Sequence, residues 1–131
     1  AYVTDCIKSG WISSQGRYVI DFESMFKDMF DVPEALAVCN GTAALHLALL
    51  SMGIGEGDEV IVPDFTFAAS VNSILYTGAT PVLVDVTKNN WTIDIEETRK
   101  AITAKTKVSF VNIEFVFIVF TLRIFLFVFN L

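Results

Sequence analysis

Apolar residues recur every three or four positions over residues 18–30, and charged residues fill the positions between them. The apolar positions are Val19, Phe22, Met25, Phe26, Met29 and Phe30. This spacing predicts an amphipathic helix that ends before Pro33. Residues 42–52, rich in Ala and Leu, predict a second helix. Gly53 is expected in the left-handed conformation that commonly follows a helix end.

Short apolar runs between the helices predict β-strands. They cover residues 35–39, 59–62 and 80–86, and a further strand begins at Thr106. Asp64 or Thr66 is expected to cap a helix that runs to about Tyr76, and Asp94 with Glu97 is typical of a capping box for a helix through Ile102. The resulting order, β-α-β-α-β-α-β, predicts a parallel sheet covered by helices on both faces. Sheets of this kind bind ligands at the carboxyl ends of their strands.

The composition divides the chain in two. Residues 1–108 have the balance of a globular domain, whereas residues 109–131 are dominated by Phe, Val, Ile and Leu, with Glu114 and Arg123 as their only charges. We therefore expect a domain over 1–108 and an atypical apolar tail over 109–131. Three interpretations of the tail remain open: a membrane-spanning helix, a buried or aggregating strand, or the product of a frameshift or read-through.

The charge and the cysteines exclude several classes of protein. A net charge of −6 is unfavourable for binding a nucleic-acid backbone. Cys6 and Cys39 lie far apart and no secretory leader precedes them, so we expect both to be reduced and buried in a cytoplasmic protein. With one histidine, His46, no metal site is expected. His46 itself is either a general base or, by the more ordinary interpretation, a packed or half-exposed neighbour of the core.

The junction between the first strand and the following helix is the most informative candidate site. Gly41 and Thr42 stand where a strand turns into a helix, and a helix start offers unpaired backbone N–H groups to an anion. The sequence here is consistent with a phosphate site, or with a tight turn that Thr42 merely caps. After the second strand, Phe65 and Phe67 could stack on a planar cofactor or pack the loop onto the core.

Several motifs, in order, closely resemble the DegT/DnrJ/EryC1/StrS family of pyridoxal-phosphate (PLP)-dependent nucleotide-sugar aminotransferases. They are Gly10-Trp11-Ile12-Ser13, Asn40-Gly41-Thr42-Ala43-Ala44-Leu45-His46, Gly55-Glu56-Gly57-Asp58-Glu59-Val60-Ile61, Pro63 with Thr66-Phe67, and Asn90-Trp91-Thr92-Ile93-Asp94. The resemblance covers about the first 108 residues. It implies the N-terminal part of the large domain of the type I, or aspartate-aminotransferase, fold, a mostly parallel sheet flanked by helices.

The resemblance also implies a site. Gly41, Thr42 and Ala43 would hold the phosphate of PLP, Phe67 would face its pyridine ring, and the segment with Trp11 and Ser13 would approach the sugar. The substrate would be a keto nucleotide-sugar in amino-sugar or polysaccharide biosynthesis, the amino donor an amino acid, and the full-length protein a homodimer.

The family's chemistry also needs a Schiff-base lysine and an acid paired with the pyridine nitrogen. None of the chain's lysines matches that position, so no catalytic residue is assigned. We therefore expect a truncated and catalytically incomplete chain. Two alternatives remain: a non-catalytic membrane-associated protein anchored by residues 109–131, and an α/β binding module that uses Thr42 for another phosphate.

Overall fold

The computed structural model describes residues 1–110 and the backbone of two strand segments in the tail, 118–119 and 124–128. The helices are α1 (Tyr2–Ser9), α2 (Arg17–Phe30), α3 (Gly41–Ser51), α4 (Ala68–Tyr76) and α5 (Ile95–Ala101). The strands are β1 (Glu34–Val38), β2 (Glu59–Pro63), β3 (Thr80–Val84), β4 (Thr106–Ser109), β5 (Ile118–Val119) and β6 (Ile124–Val128).

The chain divides into two compact units. The first contains Ala1–Val38 and the two tail strands, and the second contains residues 39–110 of the described chain. In the first unit β1 pairs in parallel with β6, which pairs antiparallel with β5. Helix α2 is tied to β1 because the Glu23 carboxylate accepts a hydrogen bond from the Ala37 amide at 2.8 Å.

The second unit is a parallel sheet in the order β3-β2-β4, with helices on both faces. Successive residues of a strand point to opposite faces, so the central strand β2 supplies both cores. Val60 and Val62 join Leu49 of α3 and Ile74 of α4 in one buried cluster. Ile61 packs on the other side, in a cluster that Ala101 of α5 helps to cover. The chain is therefore α/β, with parallel strands flanked by helices.

The predicted elements from β1 to β4 are present in the predicted order. Gly53 has φ 73°, as expected after the end of α3. The Asp94 carboxylate caps α5, accepting from the amides of Glu96 and Glu97 at 2.8 and 3.2 Å. Glu97 does not complete the predicted capping box, because its Oε1 instead lies 2.6 Å from the Nζ of Lys100. The strands are divided between two sheets, since β1 pairs with a tail strand.

Two local predictions are wrong. Neither Asp64 nor Thr66 caps α4: the residue at the cap position is Phe67, without a side-chain hydrogen bond, and the Thr66 hydroxyl lies 3.2 Å from that of Ser70. The cysteines are unpaired but not buried. Cys39 is exposed and Cys6 half-buried, because neither lies on an element that faces a core cluster.

Helix α1 was not predicted, although Val3, Cys6 and Ile7 have helical spacing and Gly10 ends the helix at φ 73°.

The expected domain boundary after residue 108 stays a prediction. The interpretations of the tail fall on residues that are not described, apart from the strand backbones of β5 and β6. In the described residues no helix combines the length and apolar character needed to cross a bilayer.

Candidate functional site

The start of α3 has the features of an anion site. Asn40 is its N-cap, and the Asn40 Oδ1 accepts a hydrogen bond from the amide of Ala43 at 2.8 Å. Asn40, rather than Thr42, therefore caps the helix. This arrangement leaves the Thr42 hydroxyl without a hydrogen-bond partner among residues 1–110, which removes the capping role that the sequence also allowed for it.

The first two amides of α3 are available to a ligand. A helix cannot satisfy its own first N–H groups, and intrahelical bonding begins here with the amide of Ala44, which donates to the Asn40 carbonyl at 3.1 Å. No acceptor in the described part of the chain meets the amides of Gly41 and Thr42. These two donors, the Thr42 hydroxyl and the positive end of the helix dipole all favour an anion.

The same turn borders an open cleft. The cleft has a volume of about 390 Å³ and is lined by Asn40, Thr42, Ala43, His46 and Tyr76. His46 is half-buried on α3, and its ring meets that of Tyr76 edge-on, with centroids 5.7 Å apart. The half-exposed interpretation of His46 is therefore correct, and the ring forms part of the cleft wall. Because the turn faces open space, a phosphate has room to reach the free donors.

Phe67 does not line that cleft. Its residue is 75% exposed at the start of α4, and the walls of the cleft come from other residues. Its neighbour Phe65 packs against Trp91 with ring centroids 4.9 Å apart. Phe65 therefore contacts another exposed loop aromatic and does not pack the loop onto the core, and the ring of Phe67 is free to meet a ligand.

Trp11 and Ser13 lie together in the first unit. Both line a cleft of about 350 Å³ whose other walls include Cys6, Gly16 and Tyr18. Gly16 allows the turn to close tightly, because a Cβ at this position would lie 3.3 Å from the Ser13 carbonyl oxygen. The Tyr18 hydroxyl donates to the Asp5 carboxylate at 2.8 Å, and this bond raises the pKa of Tyr18.

Sequence reasoning missed three residues of these clefts. Asn40 was named only as part of a family motif, although Asn before a helix is a favoured N-cap and could have been recognised. Tyr18 was assigned to α2 without a role, and its partner Asp5 lies on the helix that was not predicted. Tyr76 carries no sequence signal, since only the packing of α4 against α3 brings it to His46. Within residues 1–110, no group of three potential metal ligands comes together.

Comparison with known proteins identifies one family. The sequence profile of the DegT/DnrJ/EryC1/StrS aminotransferase family matches residues 1–115. The chain is 53% identical to GDP-perosamine synthase of Escherichia coli O157:H7 over 106 residues, which cover 81% of this chain and 29% of that protein. It is 45% identical over 105 residues to the spore coat polysaccharide biosynthesis protein SpsC of Bacillus subtilis, covering 80% of this chain and 27% of SpsC.

A solved structure matches as well. The sugar aminotransferase Spr1654 from Streptococcus pneumoniae, in its apo form, superposes with a TM-score of 0.77 at 38% identity, covering 83% of this chain and 27% of that one. Spr1654 is also solved in PLP and PMP forms. The chain therefore spans less than a third of the length of the relatives that it matches.

Proposed function

The chain belongs to the DegT/DnrJ/EryC1/StrS aminotransferase family, and on that premise we propose that it forms the phosphate-binding part of a PLP-dependent aminotransferase that acts on a keto nucleotide-sugar. The first turn of α3 carries this proposal, because it leaves the amides of Gly41 and Thr42 and the Thr42 hydroxyl unpaired, and Thr42 lines an open cleft. GDP-perosamine synthases are among the relatives, so we propose a GDP-linked sugar as the substrate.

The residues at this turn suit the phosphate of PLP. The amides of Gly41 and Thr42 and the Thr42 hydroxyl would donate to the phosphate oxygens. Ala43 contributes differently from the other two, since its amide already donates to Asn40, so it serves as cleft wall. PLP, when bound, supplies an electron sink that stabilises negative charge at the amino-bearing carbon. The chain's own part is to hold and orient it.

The remaining site residues belong to the same proposal. Phe67, with its exposed ring, would stack on the pyridine ring, and Trp11 and Ser13 would contact the sugar. The reactive lysine and the acid that pairs with the pyridine nitrogen would come from parts of the family chain outside the matched residues. The amino-acid donor and the homodimer implied by the family follow from the same premise. A cytoplasmic location fits the two unpaired cysteines.

Titration of the chain with PLP, followed by absorbance, tests the phosphate site. We expect Thr42→Ala to weaken PLP binding by about tenfold or more, because hydrogen bonds to charged groups contribute roughly 1.5–3 kcal/mol. Thr42→Ser keeps the hydroxyl and should bind nearly as the natural chain does. Thr4→Ala, on the exposed side of α1, removes a comparable hydroxyl elsewhere and serves as the control.

Equal affinity of the Thr42→Ala variant and the natural chain would show that the phosphate binds elsewhere. Borohydride reduction followed by peptide mapping addresses the missing lysine separately. We expect no lysine of this chain to carry the cofactor after reduction. A single modified lysine would show that the reactive residue is present here after all.

A further inference from the structure

Two large aromatic side chains meet at the carboxyl ends of neighbouring strands. Phe65 lies two residues after β2, and Trp91 lies in the loop between β3 and α5. Their ring centroids are 4.9 Å apart with planes inclined at 42°. Packing against each other hides little of either residue, because Phe65 is 64% and Trp91 59% exposed. The pair therefore presents an aromatic surface at the edge of the sheet where open α/β sheets bind ligands.

The backbone of Trp91 is held in a costly conformation. Its φ is 59°, a left-handed value that bulky residues rarely adopt and that costs on the order of 1–3 kcal/mol. Local bonds impose this conformation: the Trp91 amide donates to the Thr87 carbonyl at 3.0 Å, and the Thr87 amide donates to the Thr92 carbonyl at 2.8 Å. Residues held in such conformations cluster at ligand-binding sites, which makes the exposed Trp91 a candidate for a ligand contact.

The side chain of Asn90 closes the loop from within. Its Oδ1 accepts from the hydroxyls of Thr87 and Thr92, and the second of these bonds is 2.8 Å long. The amide of Thr92 also donates to the Asn90 Oδ1, at 3.3 Å. An antiparallel bridge between Val86 and Ile93 ties the base of the loop. The loop that carries Trp91 is therefore stiffened by hydrogen bonds between its own residues.

An acidic residue adjoins the aromatic pair in the sequence. Asp64 immediately precedes Phe65, and its amide donates to the Val84 carbonyl at 2.9 Å, which joins the ends of β2 and β3. Asp64 is exposed, and no described residue donates a hydrogen bond to its side chain. An aromatic face and a free carboxylate on adjacent residues could together bind a flat group with adjacent N–H donors. Guanine is such a group, because its N1–H and N2–H₂ can both donate to one carboxylate.

We propose that Trp91, supported by Phe65, stacks on the guanine base of the nucleotide-sugar and that Asp64 accepts hydrogen bonds from its N1 and N2. This inference rests on the proposed function, because it locates the nucleotide part of the same substrate. Stacking on an aromatic side chain contributes substantially to the binding of a base and tolerates any base, so Asp64 would provide the preference for guanine.

Fluorescence of Trp91 tests the stack directly. Trp11 and Trp91 are the two tryptophans of the chain, so in a Trp11→Phe background all indole emission comes from Trp91. We expect GDP to quench this emission saturably. UDP should require about tenfold higher concentration, because its base lacks the paired donors, and pyrophosphate should leave the emission unchanged. Asp64→Asn should abolish the difference between GDP and UDP.

Calorimetry with a strain-relieving substitution provides the second measurement. Trp91→Gly removes the ring but suits φ 59°, so the loop should fold at least as well as before while the Kd for GDP rises about tenfold or more. Asp31→Gly is the matched control, because Asp31 also has a positive φ, 50°, at the end of α2. Asp31→Gly should leave GDP binding unchanged.

The outcomes separate this inference from the proposed function. If PLP binding depends on Thr42 but GDP neither quenches Trp91 nor binds more weakly to Trp91→Gly, the base site is wrong and the phosphate site stands. GDP binding that calorimetry detects without any quenching overturns the inference in the same way, since the base then binds elsewhere. If GDP quenches Trp91 but Thr42→Ala binds PLP as tightly as the natural chain, the result supports the base site and contradicts the phosphate site.

Discussion

Asn40 can be substituted so that the stability of α3 and its affinity for a phosphate change separately. The Asn40 side chain caps α3 through the amide of Ala43 at 2.8 Å. Asn40→Ala removes this acceptor, and N-cap replacements by Ala cost about 1 kcal/mol, within a range of roughly 0.5–2. Asn40→Asp keeps the acceptor and adds a negative charge at the helix start, where Asp and Asn are about equally good caps. Its stability should equal or slightly exceed that of the natural chain.

The effect on PLP has the opposite pattern. A carboxylate about 5.4 Å, or one helical turn, from a phosphate charge is repelled by roughly 1.5–3 kcal/mol at an effective dielectric constant of 20 to 40. Asn40→Asp should therefore bind PLP about tenfold or more weakly while remaining as stable. Asn40→Ala should be less stable and yet bind PLP at least as well, because the Ala43 amide becomes free to donate to the phosphate.

Urea denaturation followed by circular dichroism measures the stability, and absorbance titration measures PLP binding. Asp94→Asn is the matched control, since Asp94 caps α5 through the amides of Glu96 and Glu97. It exchanges the same two residue types in the reverse direction, away from the start of α3, and should leave PLP binding unchanged. If Asn40→Asp binds PLP as tightly as the natural chain, the phosphate does not bind at the start of α3.

Three further predictions concern the packing and the N-terminal unit. Ile61 has no exposed surface and lies between two layers of helices, so Ile61→Ala should lower the free energy of unfolding, measured in urea, by about 2–5 kcal/mol. Leu83→Ala, at an exposed position of β3, is the control and should change it by less than about 1 kcal/mol. Gly16→Ala should destabilise the N-terminal unit, because the added Cβ meets the Ser13 carbonyl at 3.3 Å, and a fall in thermal midpoint would be the measure. The hydrogen bond to the Asp5 carboxylate raises the pKa of Tyr18 above its ordinary value of 10.0. This bond therefore stabilises the folded state at neutral pH, and the stabilisation is lost as the pH rises through the raised pKa. In Asp5→Asn the Tyr18 pKa should fall, as observed by NMR of the tyrosine Cζ, and an unchanged value would contradict the hydrogen bond.

The local predictions that succeeded depend on neighbours in sequence. The periodicity of residues 18–30 required a helix whatever surrounds it, and α2 spans Arg17–Phe30. Asp94 caps α5 because its carboxylate and the amides that it accepts from are two and three residues apart. Gly53 adopts its left-handed conformation for an equally local reason. Interactions of such short range are encoded by residue type and spacing alone.

The helix caps were hard to predict because several residues offered equivalent local choices. Thr42 and Asn40 are both good caps, and Asp64 and Thr66 could each have started α4. In the structure Asn40 caps α3, while α4 begins at Ala68 with Phe67 at the cap position, and the Thr66 hydroxyl lies close to that of Ser70. The position of the strand end decides which residue reaches the first free amides, and this position is set by strand pairing rather than by the cap itself.

The amino-acid sequence by itself determined the order of helices and strands, the parallel α/β class and the glycine-threonine helix start that we propose as the phosphate site. Only the tertiary structure decided that Tyr76 meets His46 beside Thr42, that Trp91 contacts Phe65 and that β1 pairs with a tail strand. Each of these contacts joins residues more than twenty positions apart. They form because burial and pairing are satisfied across the whole molecule, whereas residue spacing reports only on neighbours along the chain.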